Sequence, residues 1–177
     1  MERSNRNNVI LIGFMGSGKT SVGKVLAERL GYRFLDSDGL IEQEEQQSIP
    51  TVFQMKGEAY FRDRETKLLN KLKASLHEAV LSTGGGMPIR PQNRELLRQL
   101  GFVVFLKTSD DAILRRLRGD TSRPLLAGED PGSRVEELQR EREPFYNATA
   151  HYILNTDGLS PEKLADRIME EYNSYVE

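Results

Sequence analysis

The chain has 177 residues, a net charge of −2 and no cysteine. One domain over 1–177 is expected, and disulfides, thiolate catalysis and cysteine-based zinc sites are excluded. The charge balance argues against a nucleic-acid partner. The longest apolar run, Phe102–Leu106, is too short to cross a bilayer, so a cytoplasmic protein with no membrane partner is expected.

Met1–Asn8 is polar and is expected to fray. Val9–Ile12 is an unbroken apolar run and predicts a strand covered on both faces. The stretch Gly13-Phe14-Met15-Gly16-Ser17-Gly18-Lys19-Thr20 follows, and a helix is predicted over 21–30. This stretch fits G-x-x-x-x-G-K-[ST] at every fixed position, in the strand–loop–helix setting the motif requires. Glycines let backbone N–H groups turn inward as a nest for phosphate oxygens, and the helix adds its positive N-terminus. Gly16, Ser17, Gly18, Lys19, Thr20 and Ser21 are therefore expected to bind ATP. Lys19 reaches the β/γ-phosphates, and the Thr20 hydroxyl is a ligand for Mg²⁺.

A second strand is predicted over 32–35, ending at Asp36-Ser37-Asp38, and a helix over 40–47. Pro50-Thr51 is expected to break that helix, with Thr51 capping a short one, and Gly57 to interrupt before a long helix over 58–76. Further strands are predicted over 79–82, 102–106 and 152–154, and helices over 91–100, 110–118, 134–146 and 161–172. Residues 119–132 hold Gly119, Pro124, Gly128, Pro131 and Gly132, a composition that suggests a mobile loop. Strands alternating with helices predict an α/β three-layer sandwich with a parallel sheet and right-handed crossovers. The site is then expected at the carboxyl ends of the strands.

Two carboxylates at a strand end, Asp36 and Asp38, suit a division of labour. Asp36 is expected near Mg²⁺, with Thr20, and Asp38 on the hydroxyl of the acceptor. The alternative is that one of them caps the next helix. Gly84-Gly85-Gly86 is bare backbone, which suits the close approach of a ligand or of phosphates, or else a tight turn before Pro88. Arg62 lies one helical turn before Glu65. Held by that acid it would grip a carboxylate bidentately, although a solvated surface charge is an equal reading. Arg123, in the glycine- and proline-rich loop, has the character of an arginine finger. Arg116 and Arg142 flank that loop, and His77 and His151 read as structural. The residues alone thus describe an ATP- and Mg²⁺-dependent small-molecule kinase.

The chain resembles the shikimate kinases over nearly its whole length. The resemblance is carried by Phe34-Leu35-Asp36-Ser37-Asp38 with Ile41-Glu42, and by Glu58-Ala59-Tyr60-Phe61-Arg62 with Glu65. It is carried equally by Ser82-Thr83-Gly84-Gly85-Gly86, Arg123-Pro124-Leu125-Leu126, and Arg140-Glu141-Arg142 with Pro144-Phe145-Tyr146. The resemblance implies transfer of the γ-phosphate of ATP to the 3-hydroxyl of shikimate, on the route to chorismate and the aromatic amino acids. It implies a nucleoside monophosphate kinase-like fold with strand order 2-3-1-4-5, a substrate-binding region near 37–64 and a lid near 119–132. Arg62 and Arg142 would grip the substrate carboxylate, with Asp38 on the ring hydroxyls as base and Gly84, Gly85 and Gly86 supplying backbone contacts. Lys19 and Arg123 would meet the phosphates, Arg116 the adenine, and a monomer is expected. One departure stands out: Thr156–Pro161 keeps the family's proline but lacks the basic residue before it. A gluconate-type kinase and a non-catalytic nucleotide switch are the alternatives; no N-K-x-D motif supports the latter as a GTPase.

Overall fold

Successive apolar side chains of the central strands point to opposite faces of the sheet, so these strands are covered on both sides. The computed structural model describes residues 7–118 and 130–177. Five strands, β1 (Asn8–Ile12), β2 (Arg33–Asp36), β3 (Ala79–Ser82), β4 (Phe102–Lys107) and β5 (Tyr152–Asn155), form one sheet. All four pairings are parallel, in the order β2-β3-β1-β4-β5. The helices are α1 (Lys19–Leu30), α2 (Ser37–Glu45), α3 (Ile49–Ser75), α4 (Pro91–Leu100), α5 (Asp110–Leu117), α6 (Pro131–Thr149) and α7 (Pro161–Val176).

The pleat sends Val9 and Leu11 to one face, where Val22 and Leu26 of α1 and Ile168 of α7 cover them. Ile10 and Ile12 go to the other face, against Leu69 of α3, Leu97 of α4 and Leu138 of α6. Each such side chain contributes about 1.5–3 kcal/mol by leaving water. The result is the expected three-layer sandwich, with α1 and α7 on one face and α3, α4 and α6 on the other.

Several boundaries differ from the sequence reading, each for a local reason. Asn8 does not fray. It is fully buried, accepts from the Ala79 N–H at 3.1 Å, and donates to Leu76 O and Leu100 O at 3.2 and 2.9 Å. Helix α2 begins at Ser37 rather than Leu40, because Asp36 Oδ1 accepts from the Asp38 N–H at 3.1 Å and serves as its cap. Ser48, not Thr51, caps α3, accepting from the Thr51 N–H at 3.3 Å. Pro50 thus stands in the first turn, where its missing N–H costs nothing, and opens the helix instead of breaking one. Gly57 does interrupt α3, at φ 85° and ψ 170°. Pro131 and Gly132, expected in the loop, form the first turn of α6, capped by Asp130. Nothing in the structure requires glycine at 39. The rest of the 119–132 loop, with Arg123, lies outside the described residues.

Candidate active site

The loop after β1 wraps its own lysine. Gly13, Gly16 and Gly18 take φ values of 150°, 77° and 92°, a conformation L side chains rarely adopt. Lys19 Nζ donates to Gly13 O at 2.8 Å and to Phe14 O at 2.9 Å, which holds the ammonium at the mouth of the loop. Arg116, at the end of α5, donates to Gly16 O at 2.8 Å and so stands on the loop's rim. A cavity of about 250 Å³ opens there, lined by Gly16, Gly18, Lys19, Thr20, Ser21 and Arg116 on one side and Asp36 and Asp38 on the other. The oxygen donors Thr20 and Asp36 suit a hard divalent cation. Asp36 is also the cap of α2, the alternative weighed for it. Among the described residues no three acidic or histidine side chains cluster as a metal site.

A second cavity, about 390 Å³, adjoins the first and shares Met15, Asp36, Asp38, Gly84 and Gly85 with it. Arg62 of α3 and Arg142 of α6 both line it, 7 % and 3 % exposed. Neither is a surface charge. Arg62 Nη1 donates to Glu65 Oε1 at 2.6 Å and Nη2 to Glu58 Oε1 at 3.3 Å. The guanidinium carbons lie 5.3 Å from the Phe61 ring centre for Arg62 and 5.6 Å from the Phe14 ring centre for Arg142. Aromatic faces favour planar cations and exclude water. Phe53, Ile49 and Pro50 close the apolar side.

The three glycines after β3 stand at the centre. They were expected to clear space for a ligand; they also clear space for the protein's own charges. A Cβ on Gly84 would come within 2.8 Å of Asp38 Oδ1 and 3.0 Å of Glu65 Oε2. One on Gly85 would stand 3.3 Å from Arg142 Nη1, and one on Gly86 would collide with the Arg62 guanidinium. The turn is thus a mould against which Asp38, Arg62 and Arg142 are set.

Burial pushes the Glu65 carboxyl up to about 7, and the neighbouring Asp38 charge adds to this; the Arg62 and Arg142 cations pull the other way. Two residues given no role in the sequence reading belong to this site. Ser37 is fully buried and its Oγ accepts from the Gly84 N–H at 2.9 Å. Tyr146 donates its hydroxyl to Gly85 O at 2.6 Å. Both stand in motifs that carry the resemblance, Ser37 between two acids and Tyr146 one turn after Arg142, yet neither position by itself names a partner. The unusual 156–161 segment is linked to the phosphate loop through Thr108, whose hydroxyl lies 3.5 Å from Ser17 O. Its Thr156 hydroxyl meets that of Thr108 at 2.5 Å, and Asp157 accepts from the Ser109 N–H at 3.2 Å.

Known proteins resemble this chain in both sequence and fold. A family model described as shikimate kinase matches residues 15–173. The chain belongs to the shikimate kinase family. It is 46 % identical to a shikimate kinase of Thioalkalivibrio sulfidiphilus over 94 % of this chain and 87 % of the relative. Its fold superposes on a shikimate kinase from Acinetobacter baumannii, solved in complex with shikimate, with a TM-score of 0.92 and 42 % identity. That match covers 97 % of this chain and 96 % of the other. A gluconokinase from Sinorhizobium meliloti, at 17 % identity and a TM-score of 0.61, shares the fold alone, covering 98 % of this chain and 95 % of its own. The strand order that the resemblance implied is the one observed.

Proposed function

We propose that this protein transfers the γ-phosphoryl group of ATP to the 3-hydroxyl of shikimate, giving shikimate 3-phosphate for chorismate and aromatic amino acid biosynthesis. One observation carries the reading. A cavity holding two buried arginines opens onto the phosphate-loop cavity through shared walls, Asp38, Gly84 and Gly85. An acceptor that presents a carboxylate to Arg62 and Arg142 would then present a ring hydroxyl to Asp38 and to the γ-phosphate. Charge-assisted, bidentate contacts of this kind set orientation as well as affinity. Asp38 accepts the hydroxyl proton as the new O–P bond forms, and the bond to the bridging oxygen of ADP breaks. Lys19 and the loop amides hold the phosphates in line. Arg123 adds a second cation to the phosphates, as the family resemblance implies. Mg²⁺, held by Thr20 and Asp36, would neutralise charge on the β- and γ-phosphate oxygens. Arg116, on the rim, would meet the adenine, as the family resemblance implies. One chain supplies both cavities, which supports a monomer as the working unit. Among the described residues no helix is long and apolar enough to cross a membrane; a cytoplasmic location is part of the proposal.

A coupled assay of ADP release decides it, with shikimate and gluconate offered separately. Release that depends on shikimate and not on gluconate is expected. ADP release with gluconate alone, or with neither acid, would overturn the reading.

A further inference from the structure

We propose that Tyr146 is a positioning residue for the acceptor cavity, its hydroxyl holding the glycine turn and Arg142 in one fixed relation. The inference rests on reading that cavity as the shikimate site.

The backbone of the turn shows what the phenol supplies. Gly84 O accepts from the Met87 N–H and Gly86 O from the Ile89 N–H, both at 3.1 Å, within the short 3₁₀ turn that follows. Gly85 O accepts instead from the Tyr146 hydroxyl, on a helix 61 residues further along the chain. On the opposite side Ser37 Oγ takes the Gly84 N–H. The turn is therefore pinned at successive residues by two buried hydroxyls, one from the start of α2 and one from α6.

The same phenol lies within the electrostatic reach of Arg142. Arg142 lies one helical turn before Tyr146, and its Nη1 is 3.3 Å from the point where a Gly85 Cβ would stand. Burial pushes the Tyr146 phenol up to about 12, against the opposing pull of Arg142, so the group stays protonated and donates at any working pH. Its ring packs against Phe105 with centres 4.9 Å apart, and the residue is 1 % exposed. The phenol cannot swing away without leaving Gly85 O unpaired in the interior. A buried carbonyl without a donor is unfavourable, so the hydroxyl confines the turn to one position.

The test is Tyr146→Phe, which keeps the ring and removes the hydroxyl. The KM for shikimate should rise about fivefold to tenfold, the effect of one buried hydrogen bond, with the KM for ATP unchanged. Tyr172→Phe is the control. That phenol meets Tyr32 at 3.1 Å on the other face of the sheet, so its loss should lower thermal stability and leave both KM values as they were. In wild-type protein labelled with ¹³C at tyrosine Cζ, shikimate should also shift the Tyr146 resonance and leave Tyr172 in place, a readout that does not depend on a variant folding. Equal effects of the two variants on both KM values, or an unmoved Tyr146 resonance, would overturn the proposal. Wild-type protein that does not turn over shikimate would overturn the functional reading, and this inference with it.

Discussion

Arg62 and Glu65 form a buried ion pair at 2.6 Å, one helical turn apart on α3, with the Glu65 side chain fully excluded from solvent. Glu65 Oε2 has no hydrogen-bond partner among the described residues. One oxygen braces the arginine; the other points toward Gly84 and Asp38. The acceptor arginine is thus aimed by a carboxylate that never meets water.

Replacing Glu65 by Gln keeps the shape and an acceptor but removes the charge. Hydrogen bonds to charged groups contribute about 1.5–3 kcal/mol, so the KM for shikimate should rise roughly tenfold to a hundredfold. With the carboxyl pushed up to about 7, the parent enzyme's kcat/KM for shikimate should climb through neutral pH as Glu65 ionises, and the Gln variant should lose that step. The stability linkage runs the other way. A folded-state value raised from 4.5 contributes stability below 4.5 that is lost as pH rises through 7. Rate profiles and denaturant midpoints across this window check both.

Gly86→Ala tests the mould. The new methyl would displace the Arg62 guanidinium, which cannot move without breaking its pair with Glu65. Overpacking of this kind costs about 1–3 kcal/mol, and the shikimate KM should rise with it while that for ATP holds. Gly39→Ala is the contrast. Its nearest neighbour would be Asp36 Cβ at 3.9 Å, inside helix α2, so about 0.4–1 kcal/mol of added stability is expected. Thermal melts and steady-state kinetics separate the two.

Asp36 caps α2 and faces the phosphate cavity, and two substitutions divide those roles. Asn caps helices as well as Asp, so Asp36→Asn should leave the melting temperature near that of the parent and raise the Mg²⁺ concentration for half-maximal rate. Asp36→Ala should do that and also lose about 1 kcal/mol of stability. An Asn variant with unaltered Mg²⁺ dependence would reduce Asp36 to a cap.

His151 makes the protein sensitive to acid. Its Nδ1 accepts from the Val103 N–H at 2.9 Å, which a protonated ring cannot do. Burial lowers its value from the usual 6.5, and the Arg98 charge adds to this. A depressed folded-state value means stability present above 6.5 and lost as pH falls below it. Denaturant midpoints should therefore drop on the acid side, and less so in His151→Gln. Glu65 acts in the opposite direction over an overlapping window, so each variant is compared with the parent at every pH.

The strand–helix alternation, the phosphate loop, the acids after β2, and the Arg62–Glu65 pair at helical spacing were all legible by reading along the chain. Each rests on local periodicity or on chemistry within a few residues, which sequence order preserves. What only the tertiary structure decided depends on groups that meet from distant segments. Asn8 looked like part of a polar tail until Leu76, Ala79 and Leu100 closed around it. The glycine turn was readable as bare backbone, but not as the surface against which Asp38, Arg62 and Arg142 pack. Ser37 and Tyr146 gained their partners only when α2, α6 and the turn after β3 were brought together. Burial and hydrogen-bond satisfaction are properties of the packed chain, and no spacing along the sequence encodes them.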